Sequence, residues 1–206
     1  MLLDVDDSQL LLMSWQATAL AEVAEADAVQ TQALRLAQIA TLLSVPVWAV
    51  EQATWGEFDV PLRRQAGRTI ETESFNACDS PLPSLLRPPP RPQAGNARSL
   101  PKHLQRPATE PAPGRQQIVL AGCAVHIGVL QTALGLLEED FEVWVVTDAC
   151  SARTVRDRDA AYDRLAGAGV ELVTTEMVAH EWLGGSGHPA YAKVLALLPS
   201  EERSRP

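Results

Sequence analysis

The chain has 206 residues, 46% of them apolar and 21% charged, and a formal net charge of −9, a composition that fits one folded domain with a full hydrophobic core. No apolar run approaches the roughly 18–20 residues a membrane-spanning helix needs. The acidic opening MLLDVDDSQLLLMSW has neither the basic region nor the cleavage pattern of a secretory signal, so a cytoplasmic protein with no membrane partner is expected. The acidic balance also argues against nucleic acid as a partner, because phosphate recognition needs clustered Lys and Arg.

In chain order, QLLLMSW is a short apolar run suited to a buried strand. DAVQTQALRLAQIATLLS carries helical spacing at Ala33, Leu36, Ala37, Ala40 and Leu43, and VPVWAV reads as a second strand, giving one β-α-β unit. The stretch from Ser80 to Arg115 then holds ten of the fifteen prolines and six basic residues against Glu110 alone. It shows neither helical nor strand periodicity, and about 80–114 is expected to be a long irregular insertion in a single domain spanning 1–206. Its RPPPRP motif could recruit a proline-recognition partner, although a plain linker explains it as well. After it come strand QIVLAG, a helix from Gly128 to Glu139, strand EVWVVTD, a helix around Arg156 to Ala166, strand VELVT and a helix from about Glu176 to Leu183. Continuous apolar strands separated by amphipathic helices predict a three-layer α/β/α sandwich on a mostly parallel, doubly wound sheet.

In such a sheet ligands sit beyond the carboxyl ends of the strands. That places Ser14, Trp15 and Gln16, then Glu51, Gln52 and Trp55, then Cys123 to Gly128, then Asp148, Cys150 and Ser151, at the candidate site, a pocket with two indoles, amides and few charges. The three cysteines, Cys78, Cys123 and Cys150, form no CxxC pair and are expected to be free thiols. His103, His126, His180 and His188 fall in no ligand-like spacing, so no metal is expected. LGGSG at Leu183 to Gly187 follows a helix rather than a strand, which argues against a phosphate cradle, and no cofactor is expected.

The stretch IVLAGCAVHIGVLQTALGLLEEDFEVWVVTDACSAR, with LLLMSWQ, VPVWAVEQ and ESFNACDS before it, resembles the isochorismatase-like cysteine hydrolases. That resemblance implies a catalytic Asp at the end of the first strand, a Lys ahead of the third and a Cys where the following helix begins. A helix end and an ammonium lower a thiol pKa, the carboxylate takes its proton, and backbone amides hold the oxyanion. The corresponding positions here are Ser14 in MSWQ, Thr72 in TESFNA and Gly128 in AGCAVHIGV. Base, cation and nucleophile are all replaced, and no lysine precedes Lys102. Cys123 lies five positions before Gly128, where neither a helix end nor a lysine would activate it.

The expectation is therefore a non-catalytic member of that family with a retained role in ligand binding or oligomer formation. The pocket residues would be Trp15, Gln16, Gln52, Trp55, Asn76, Cys123 and Val125. The resemblance implies a homo-oligomer, with a small carbonyl or aromatic ligand or an active paralogue as partner. The alternative is a hydrolase of an amide, ester or vinyl ether by a cysteine-independent mechanism.

Overall fold

The computed structural model describes residues 1–87 and 114–198. Six strands form one parallel sheet in the order β3-β2-β1-β4-β5-β6. They are β1 (Ser8–Met13), β2 (Val47–Gln52), β3 (Arg68–Thr72), β4 (Gln117–Gly122), β5 (Glu142–Cys150) and β6 (Glu171–Val173). The helices are α1 (Ala17–Leu20), α2 (Ala26–Leu42), α3 (Val60–Gln65), α4 (Leu82–Leu86), α5 (Leu130–Glu138), α6 (Val155–Gly167), α7 (Thr175–Leu183) and α8 (Tyr191–Leu197). The three-layer sandwich expected from the alternation of elements is the fold observed.

Strand parity divides the core in two. Leu10 and Leu12 of β1 face one layer with Leu36 and Ile39 of α2, Leu62 of α3, Trp182 of α7 and Val194 of α8. Leu11 and Met13 face the other with Leu82 and Leu86 of α4, Ala133 and Leu136 of α5, and Leu165 of α6. Every residue of β1 and of β4 is buried, which is why both read as unbroken apolar runs rather than alternating ones. Each fully buried Leu or Ile contributes about 1.5–3 kcal/mol. The helices start where side chains supply the missing acceptors: Asp59 takes the Leu62 N–H, Thr154 that of Asp157, and Thr174 that of Met177.

The sheet reverses direction of growth between β1 and β4, so their carboxyl ends form the crevice where doubly wound proteins bind ligands. The two strands meet closely there: a Cβ on Gly122 would lie 2.6 Å from the Met13 carbonyl oxygen and 2.9 Å from Val129 Cγ2. Only glycine fits, and it draws the turn after β4 against the end of β1.

Three expectations are corrected. The helix after β4 begins earlier than Gly128, with a π-helical turn over Val125–Val129 entered through Ala124 at φ 55°. The proline-rich stretch is not irregular from its start, because Leu82–Leu86 is a helix whose Leu82 and Leu86 are buried. Two apolar residues four apart suffice to seat one turn when a sheet face lies beneath it. The expected strands gain an edge strand, β3, whose sequence RTIET buries only Ile70 and Thr72 and so shows no apolar run. The rest of the proline-rich stretch, residues 88–113 and with it His103 and most of RPPPRP, lies outside the described residues.

Candidate functional site

Ser14 follows β1 directly and is held at φ 56°, an uncommon conformation for a residue with a side chain. Its N–H donates to the Val50 carbonyl at 2.9 Å, and the Trp15 carbonyl next to it accepts from Asp59 N–H at 2.7 Å. These flanking bonds fix the kink. Ser14 is only 2% exposed, and among the described residues its hydroxyl makes no hydrogen bond.

Gly128 comes to it from the other strand. A Cβ built there would point to the Phe75 carbonyl oxygen at 3.7 Å and the Ser14 Oγ at 3.8 Å, with no other neighbouring atom within 4 Å. Phe75 follows β3, and Thr72 lies three residues before it, buried, its Oγ1 shared with Ser74 through bonds of 3.1 and 3.2 Å. Ends of three strands thus converge on one spot that has room for a side chain. The groups present there are a serine hydroxyl and a backbone carbonyl.

The turn itself already uses part of its hydrogen-bonding capacity. Val125 N–H donates to the Ser151 carbonyl at 2.8 Å and Ile127 N–H to the Ala124 carbonyl at 2.8 Å, so fewer first-turn amides are open to an oxyanion than a plain helix start would offer. His126 in the same turn has a buried Nδ1 without a partner among the described residues. Burial lowers its pKa, nearby Asp157 opposes that shift and Arg153 adds to it.

The other expected residues take different places. Trp15 is fully buried in the α2-side core, its indole N–H donating to the Ala121 carbonyl at 3.3 Å, so its ring is closed to any ligand. The accessible aromatic wall is instead Trp55 with Phe75, ring centroids 6.2 Å apart. Gln16 is a structural clamp: its amide donates to the carbonyls of Gln52 (2.8 Å) and Gly56 (2.6 Å) and accepts from Gln52 N–H (2.8 Å). Gln52 in turn donates to the Ser74 carbonyl at 2.9 Å, so the two amides bind together the loops that carry Trp55 and Phe75. Asn76 caps a short 3-10 turn at Ala77–Asp79 through Cys78 N–H and packs on Gly135, two helical turns from Gly128. Val125 is buried and acts through its N–H.

None of the thiols stands at the Gly128 position. Cys123 is fully buried, and burial, reinforced by Cys150, pushes its thiol far up. Burial also raises Cys150 to about 12, against a bond from Gly122 N–H to its sulfur at 3.3 Å that works the other way. Cys78 is raised to about 12, first by burial and then by Glu139, Asp79 and Glu138. Thiolate, the reactive form, is scarce at neutral pH in all three. Among the described residues no group of three or more His, Cys, Asp or Glu side chains is gathered as a metal site would require.

Two further participants are Thr132, which had no signal in the sequence, and Ser151, which its place after a strand had marked. Thr132 of α5 accepts Ala77 N–H at 2.9 Å and donates to the Phe75 carbonyl at 3.4 Å, holding that carbonyl over Gly128. Ser151 anchors the turn through its carbonyl and donates its hydroxyl to the Ala24 carbonyl at 2.6 Å. A backbone carbonyl has no residue-type signature, and only its position in space reveals it.

Residues 99–177 match the isochorismatase domain model. Over that segment the chain is similar to isochorismatase domains. Its sequence is 29% identical over 164 residues to isochorismatase domain-containing protein 1 of Salmo salar, covering 80% of this chain and 51% of that protein. The chain thus spans about half, or less, of the length of the first curated relatives it matches. Among solved structures, the YcaC gene product of Escherichia coli, described as an octameric hydrolase of unknown specificity, superposes with a TM-score of 0.76 at 25% identity, covering 96% of this chain and 89% of that one. The MAR1 ribonuclease of Caenorhabditis elegans shares the fold, with a TM-score of 0.80 at 24% identity over 98% of this chain and 94% of that one. The isochorismatase-like fold therefore extends over both halves of the chain, beyond the matched residues.

Proposed function

We propose that this isochorismatase-like protein is a non-catalytic member of its family, in which Ser14, Thr72 and Gly128 occupy the places of base, cation and nucleophile. The observation that carries the reading is the meeting of Ser14 Oγ with the open Cβ direction of Gly128 at 3.8 Å. Two of the three positions, 14 and 128, meet there, and none of the three carries a carboxylate, an ammonium or a thiol. Covalent catalysis depends on such groups acting as a unit, and losing one member removes most of the rate.

What remains is an aromatic pair, Trp55 with Phe75, on the loops beside a hydroxyl and a carbonyl oxygen. It suits a small neutral aromatic or carbonyl ligand better than an ionised one. The retained role is this binding, in a cytoplasmic homo-oligomer or beside an active paralogue; the octameric relative supports assembly. No helix among the described residues is long and apolar enough to cross a membrane.

The second reading, a hydrolase that does without cysteine, is favoured by one feature, the unpartnered Ser14 hydroxyl in a strained backbone. The two are separated by assaying the purified protein on nicotinamide-like amides and on isochorismate. No turnover is expected; turnover that disappears in Ser14→Ala would establish the second reading.

A further inference from the structure

At the end of the sheet opposite Ser14 and Gly128, a groove of about 510 Å³ lies between the amino-terminal ends of β1, β2 and β3 and helix α4. That volume is within the range of small-molecule sites, about 300–1,000 Å³. Trp48 forms one wall, and its indole N–H donates to Gln9 Oε1 at 3.1 Å. Gln9 is buried, and its own amide donates to the carbonyls of Leu86 and Arg115 at 3.1 and 3.2 Å. The indole is thus locked before any ligand arrives, with Pro46 and Leu85 extending the apolar surface.

Charge sets this groove apart from the rest of the molecule. The exposed Arg68 guanidinium lies 5.3 Å from the Trp48 ring centroid, and Arg115 is also in the lining, its guanidinium held by the carbonyls of Val5 and Ser8 at 2.7 and 2.8 Å. Among the described residues no carboxylate lines the groove and Arg68 forms no ion pair. A guanidinium over an indole, with a second arginine in the lining of a chain of net charge −9, inverts the local sign. An inorganic anion would leave the apolar wall unused, and a neutral hydrocarbon would leave the guanidinium groups unused. A flat apolar body ending in a carboxylate uses both.

We propose that this groove is a second binding site, for a small aromatic carboxylate, with the ring beside Trp48 and the carboxylate on Arg68. The site is independent of the family's catalytic end and of whether that end binds anything.

The test is calorimetric titration of the full chain at low salt with 1-naphthoate and, in parallel, with uncharged 1-naphthamide. Naphthoate is expected to bind, with naphthamide at least about tenfold weaker, since a charge-assisted bidentate contact is worth that much or more. Arg68→Gln should weaken naphthoate by a similar factor and Arg68→Lys by less, while Met177→Ala, exposed on α7 and outside the groove, should leave it unchanged. Failure of naphthoate to bind the full chain, equal binding of the amide, or loss in Met177→Ala with retention in Arg68→Gln would each overturn the proposal. Should Arg68→Gln fold poorly, the acid and amide comparison and the Lys variant still decide.

Discussion

Ser14 and Gly128 belong to different strand ends, yet the Cβ direction of one meets the hydroxyl oxygen of the other at 3.8 Å. Nothing closer than 3.7 Å obstructs that direction, so the position accepts a side chain without rearrangement. Gly128→Cys should therefore fold, and its thiol should lie against residue 14. Combining it with Ser14→Asp and Thr72→Lys is expected to lower the thiol pKa and raise alkylation by iodoacetamide at pH 7 by about tenfold over Gly128→Cys alone. Mass spectrometry reads the rate; equal rates in the two variants would show that Thr72 and Ser14 do not face position 128 as proposed.

The native thiols make the opposite prediction. Cys150 is fully buried and raised from 9.0 to about 12, and Cys123 is raised further. Between those values the unfolded chain releases thiol protons that the folded chain retains, so the unfolded state binds fewer protons and stability falls as pH rises. The contribution is intact below about pH 9 and declines from there to about pH 12, with a slope near 1.4 kcal/mol per pH unit for Cys150. Denaturant titrations at pH 8 and pH 10 should show the loss, and Cys150→Ala should reduce it. Disulfide-exchange reagents at pH 8 should label Cys123 and Cys150 only as fast as the protein opens.

Backbone geometry at the crevice gives two changes of opposite sign. Gly122→Ala forces a Cβ to within 2.6 Å of the Met13 carbonyl and should cost about 3 kcal/mol, the upper range for overpacking. Ser14→Gly relieves the positive φ and should change stability by no more than about 1 kcal/mol, in the stabilising direction if strain outweighs the added chain entropy. Chemical denaturation of the two variants beside the parent settles both signs.

A boundary for shortening the proline-rich stretch follows from its two ends. A Cβ on Gly114 would lie 3.5 Å from Arg87 Cα, so the chain leaves and rejoins the fold at one point. Arg87 is anchored there by bonds to the carbonyls of Glu139 (3.0 Å) and Asp140 (3.2 Å), to Gln116 Oε1 (2.6 Å), and by stacking 4.0 Å over the Phe141 ring. Replacing residues 88–113 by a short glycine bridge should keep the fold and add roughly 1–2 kcal/mol by shortening the closed loop. Removing 80–114 should destabilise strongly, because it strips Leu82 and Leu86 from the core and takes Arg87 with them. Molar mass by light scattering on the shorter deletion also tests the stretch in assembly; an unchanged oligomer excludes such a role.

The sequence by itself determined the architecture and the residue types at the three candidate positions. Apolar runs such as LLLM and IVLA can be continuous only where both faces of a strand are covered, and helices between them require parallel crossovers. The residue types at positions 14, 72 and 128 followed from motif alignment alone. Tertiary structure decided what those positions share. It brought Ser14, Gly128 and the Phe75 carbonyl to one point, sent Trp15 into the core although it neighbours Ser14, and turned Gln16 and Asn76 from ligand contacts into clamps. Successive residues leaving a strand point to opposite sides, and local sequence does not record which side a kink at φ 56° will choose. The groove at Trp48 and Arg68 was invisible for the same reason, since Gln9, Trp48, Arg68 and Arg115 come from three strands and a loop that only the sheet order makes neighbours.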